Sequence, residues 1–114
     1  MSELDQILEW ADLRTQLKQQ REILEVKFKD ACVHAADGGI FNITPEFLAG
    51  IKVRTEFIEG DLWVLDRNQT PVLITDVEKF IMDAVNIYHL AVSSYGREFA
   101  ELRKQRSVKA MIEL

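Results

Sequence analysis

The sequence predicts an α+β fold: a long N-terminal helix, a small antiparallel β-meander of about three to four strands, and a long C-terminal helix. Three observations predict it. Apolar residues recur at helical spacing in the first third and the last third of the chain. Between them the spacing falls to two, as in a half-buried strand. The three regions are separated by the pair Gly38-Gly39 and by the capping signature Thr75-Asp76-Val77-Glu78.

The first helix is expected over roughly residues 3 to 35, on the stripe Leu4, Ile7, Leu8, Ala11, Leu13, Leu17, Leu24 and Phe28. Ser2 is placed to cap it, and Glu3 and Asp5 put negative charge where the helix dipole favours it. Asp37-Gly38-Gly39 is read as its end. The next segment, Gly39 to Ala49, is read as a short strand followed by a turn or two of helix opened by Thr44 and Pro45.

In Ile51 to Ile58 the residues Ile51, Val53, Thr55 and Phe57 alternate with polar ones, which predicts the first strand of the meander. Leu62 to Leu65 and Val72 to Ile74 follow as two more, separated by turns at Glu59-Gly60-Asp61 and Arg67 to Thr70. Pro71, lacking a donor, belongs at a strand start or edge. The last helix begins at Thr75 and carries the seam Val77, Ile81, Ala84, Tyr88, Ala91, Tyr95 and Leu102, long enough to pack along another helix. It is expected to end near Arg106 or Ser107, leaving 108–114 as a last turn or a tail.

At 114 residues and 13.2 kDa the chain is read as one domain, 1–114. Its 47% apolar and 29% charged residues support a core without disulfides or a structural metal. Nineteen acids against fourteen Lys and Arg give a net charge of −5, which repels phosphate backbones, so nucleic acid is not the expected partner. The N-terminus carries acids where a secretory signal carries bases, and no stretch approaches the roughly 20 apolar residues of a membrane span, so a non-exported, non-membrane protein is expected.

Reactive side chains are few. Cys32 and His34 could supply two zinc ligands, but a closed site needs four. His89 lies off the apolar seam with no orienting partner. Asp61, Asp66 and Asp76 sit at element boundaries, where turn chemistry accounts for each. Gly38-Gly39 lacks the spacing of a phosphate cradle. The expectation is therefore no enzyme, no cofactor and no metal. The basic residues Arg97, Arg103, Lys104, Arg106 and Lys109 complement the dipole at a helix end.

What remains is surface. Trp63, Leu65 and Ile74 are expected to form an apolar patch on the sheet, and Tyr88, Tyr95 and Gly96 lie along the last helix, where the glycine admits a close approach. These six predict self-association, a dimer being favoured. The alternatives are a small-ligand pocket between sheet and helices near Tyr88, Trp63 and Asp66, and a nucleic-acid accessory factor using Arg97 to Lys109.

The run Leu62-Trp63-Val64-Leu65-Asp66-Arg67-Asn68, then Val72-Leu73-Ile74-Thr75, then Ala84 through Leu102, resembles a small domain of unknown function found in tailed-phage tail-fibre and tail-assembly proteins. The similarity spans roughly the last 75 residues. It implies a phage-encoded virion or assembly factor, located in the bacterial cytoplasm or in the virion. Other phage or host proteins would be its partners, and the resemblance supplies no catalytic residues.

Overall fold

The computed structural model describes the backbone of residues 2–113 and the side chains of residues 2–105. Its elements are α1 (Glu3–Ala31), β1 (Val33–Ala36), β2 (Gly39–Asn42), α2 (Pro45–Phe57), β3 (Leu62–Leu65), β4 (Pro71–Ile74) and α3 (Val77–Glu113). The class is α+β, with a long helix at each end. The chain divides into two compact units: Met1–Phe28 with Ser93–Leu114, and Lys29–Val92.

The strands form two separate hairpins, β1 with β2 and β3 with β4, in place of one meander. Two local causes account for the difference. Asp37 and Gly38 both have positive φ, 52° and 83°, and form the two-residue loop of the first hairpin, with Ala36 opposite Gly39. The glycine pair therefore closes a hairpin, and α1 has already stopped at Ala31. The second correction is the segment Ile51 to Ile58, which is helical. Thr44 caps α2 by accepting the Phe47 N–H at 3.1 Å, Pro45 occupies the first turn, and the helix continues to Phe57. Ile51 is buried, Phe47, Leu48, Arg54 and Thr55 are half-buried, and Val53 and Phe57 face solvent, which is a helical period.

The core of the Lys29–Val92 unit is aromatic and aliphatic. The Phe41 ring lies 5.0 Å from that of Phe80 and 5.9 Å from that of Phe47, and Ile43, Ile51, Ala84 and Cys32 are buried with it. Leu62, Val64, Val72 and Ile74 give this core one complete face of the second hairpin. Gly39 lies tight against that hairpin: a Cβ there would stand 2.7 Å from Val72 Cγ2. Asp66, the one buried charged residue among those described, has its carboxylate occupied by backbone N–H groups of Asn68 at 2.8 Å, Thr70 at 3.0 Å and Ile40 at 3.5 Å.

Each long helix starts as its caps dictate. Ser2 Oγ accepts the Asp5 N–H at 3.2 Å. At α3 the cap is Asp76, whose Oδ1 accepts the Lys79 N–H at 3.1 Å, one residue beyond the expected Thr75. The helix passes the expected stop at Arg106 or Ser107 and reaches Glu113. In the other unit, Phe28 meets Tyr95 edge to face at 4.9 Å, and Lys27 Nζ bonds Glu98 Oε1 at 2.6 Å. The stripe expected on α1 divides: Leu13 is buried and Leu17, Leu24 and Phe28 are half-buried, while Leu4, Ile7, Leu8 and Ala11 face solvent.

Candidate interaction surfaces

Strand geometry sends alternate side chains to opposite faces, and the β3–β4 register decides which residues share one. Leu62 pairs with Ile74, Trp63 with Leu73, Val64 with Val72, and Leu65 with Pro71. One face is thus Leu62, Val64, Val72 and Ile74, all buried. The other is Trp63, Leu65, Pro71 and Leu73, with Trp63 61% and Leu65 53% exposed. Ile74, expected beside Trp63 and Leu65, is 1% exposed and belongs to the core; Leu73 takes its place on the outer face. Arg54 of α2 fixes β3 by donating to the Trp63 carbonyl at 2.8 Å. The outer row is therefore a rigid apolar surface of three large side chains and a proline.

Tyr88 and Tyr95 are half-buried on α3, on the side that carries the buried Ala84 and Ala91. Tyr95 is engaged by Phe28 and lies 5.9 Å from Phe99. Gly96 is exposed, and none of the described residues stands within 4 Å of where its Cβ would be, so no crossing among them requires a glycine there. A feature missed in the sequence is a second apolar row on α3: Met82, Val85 and Val92 are exposed, at steps of three and seven. The signal was available, since these residues keep helical spacing along the border of the main seam, Val85 four residues beyond Ile81 and Val92 four beyond Tyr88.

The chemistry-bearing residues remain apart. Cys32 is buried, and burial pushes its thiol up. His34 packs against the Phe80 ring at 5.2 Å. Among the described residues no three His, Cys, Asp or Glu side chains come together as a metal would need. The pocket imagined near Tyr88, Trp63 and Asp66 lacks convergence: Trp63 points to solvent and the Asp66 carboxylate is taken by backbone donors. Arg103, one of the basic residues of the last helix, lies over the Phe99 ring at 4.9 Å, and Arg21 of α1 lies over the same ring at 5.4 Å. The side chains of Arg106 and Lys109 fall outside the described residues.

Compared with known proteins, the chain matches no family model, no curated protein and no solved structure. No helix among the described residues is long and apolar enough to cross a membrane.

Proposed function

We propose that this chain acts through protein–protein contact, as a small self-associating assembly or interaction protein of the phage type that the sequence resemblance implies. One observation carries the reading. The β3–β4 hairpin turns Trp63, Leu65 and Leu73 to solvent while its other face is fully committed to the core. Covering such a surface removes apolar area from water at roughly 25 cal/mol per Å², and an aromatic anchor ringed by aliphatic groups is the composition of an interface centre. A second copy could cover the same surface about a two-fold axis, which is the contact a homodimer makes.

Sedimentation equilibrium of the full chain, from low to several hundred micromolar, tests it. The expected result is a weight-average mass above that of one chain, lowered in the Trp63→Ser/Leu73→Ser variant without change in helix content. A compact monomer across the whole range would sink the reading.

A further inference from the structure

The unit formed by Met1–Phe28 and Ser93–Leu114 contains a groove of about 440 Å³ lined by α1 and α3. Leu13 is buried in its floor and Leu17, Phe99 and Leu102 are half-buried there, whereas the bases Arg14, Lys18, Arg21 and Arg103 stand exposed around it. Trp10, 47% exposed, adds an open aromatic wall. No acid is among the described residues that line the groove. Arg21 and Arg103 come from different helices, yet their guanidinium carbons lie 5.4 Å and 4.9 Å from the centre of the same Phe99 ring. Glu25 approaches Arg21 at Nε, 3.7 Å away, and Arg14, Lys18 and Arg103 have no carboxylate in ion-pair range among the described residues.

The acid excess of the chain lies elsewhere. Residues 1–28 and 93–114 carry nine Lys and Arg against nine Asp and Glu, while residues 29–92 carry five against ten. On α1 itself, Asp5, Glu9 and Asp12 stand about 100–180° around the helix from Trp10, Arg14 and Arg21, so they do not neutralise the groove side. Gathered cations without counter-charge favour an anion, and the leucine floor favours one with a hydrocarbon part. Size then decides the class of occupant. The volume falls within the roughly 300–1,000 Å³ of small-ligand sites, and nine lining residues are well short of the roughly 20–30 a side that a protein partner covers. A nucleic-acid strand needs free rings in succession, and Phe99 is already engaged by two guanidinium groups. Inorganic phosphate would leave the leucines and Trp10 without a role. We infer that the groove binds one small amphipathic anion of the fatty-acid type, its head among Arg14, Arg21 and Arg103 and its chain over Leu13, Leu17 and Leu102 beside Trp10.

The groove and the outer face of the hairpin belong to different units, so this inference stands or falls apart from the reading above. Isothermal titration of the full chain with decanoate, kept below its micelle range, tests it. The expected result is one saturable site per chain that weakens with added salt. Octanoate binds at least about threefold more weakly, because fewer methylenes leave water. Arg14→Gln/Arg103→Gln, at two exposed positions, raises the decanoate dissociation constant at least about tenfold while circular dichroism stays unchanged. Trp63→Ser/Leu73→Ser leaves the titration as it was; Trp10 is then the one tryptophan, and its emission shifts to the blue on saturation. The inference is overturned if decanoate fails to bind up to low millimolar concentration, if decanol binds as tightly, or if the arginine variant binds like the native chain. Loss of binding in the Trp63→Ser/Leu73→Ser chain, or an unchanged Trp10 emission there, overturns it too by moving the site out of the groove. Displacement of decanoate by an equal or lower concentration of phosphate, oligothymidylate or phosphatidylglycerol vesicles also overturns it, assigning the hollow to a free ion, a strand or a membrane surface.

Discussion

The Asp66 carboxylate accepts the backbone N–H of Ile40 at 3.5 Å, across 26 residues of chain, and beside it the Arg67 N–H donates to the Ile40 carbonyl at 2.9 Å. The two hairpins are thereby joined edge to turn. The same carboxylate holds the β3–β4 loop through Asn68 and Thr70, so one side chain shapes the turn and links it to the other hairpin.

Donation from the Thr70 N–H, with those of Asn68 and Ile40 and the charge of Arg67, holds the Asp66 carboxyl below the usual carboxylate range, against the opposing effect of desolvation. A carboxyl whose folded value is depressed stabilises the fold above its unfolded value of about 4, and that contribution is lost as pH falls through the folded value. Urea midpoints taken from about pH 6 to about pH 2 should therefore fall less steeply for Asp66→Asn than for the native chain. Parallel curves would show that the carboxylate contributes nothing.

Phe41 is fully buried and touches both Phe47 and Phe80. Its replacement by alanine leaves a cavity at the meeting of β2, α2 and α3. A loss of about 3–5 kcal/mol in chemical denaturation is expected. A loss under about 1 kcal/mol would mean the surrounding rings collapse to fill the space.

Two glycines should answer alanine in opposite directions. At Gly39 the added Cβ meets Val72 Cγ2 at 2.7 Å and the Phe41 ring at 3.2 Å, both in the packed core, and a cost of about 1–3 kcal/mol follows. At Gly96 none of the described residues is near, and alanine should raise the stability of the chain by about 1 kcal/mol through helix propensity alone. Paired melting curves decide both. If Gly96→Ala stabilises the fold but lowers the associated mass, the glycine serves a partner.

Cys32 is buried with its thiol pushed up, so the reactive thiolate is scarce in the folded chain. Labelling by a disulfide reagent near about pH 8 should be slow and should rise with urea in step with the loss of helix. Rapid stoichiometric labelling of the folded protein would contradict this burial.

The long helices were legible because each combines a cap with a sustained period, and the second hairpin because Leu62 to Leu65 and Val72 to Ile74 are bounded by turn residues. Ile51 to Ile58 misled for a physical reason: a β-branched run in a short helix can alternate by chance, and only the Thr44-Pro45 start and the burial of Ile51 with half-burial of Thr55 reveal the helical period. Asp37-Gly38 was ambiguous because hairpin loops and helix ends draw on the same left-handed backbone. On the candidate surface, the alternation of Trp63 and Leu65 could be read directly. The side taken by Ile74 could not, since it depends on the register that the Asp66-centred loop imposes, and that loop sets Leu62 opposite Ile74. The stacking of Arg21 and Arg103 on Phe99 required α1 and α3 to be brought together, which no local pattern encodes.

The chain's two inter-element loops around β3 offer unequal freedom to an experimenter. Residues 59–61 are all solvent-facing, with open space around Gly60, so an affinity tag or fluorophore spliced there should leave the protein intact. The stretch 67–69 is about as exposed, yet the same insert would sever the bonds that hold the hairpins together. Surface position alone is a poor guide to where this molecule can be cut open.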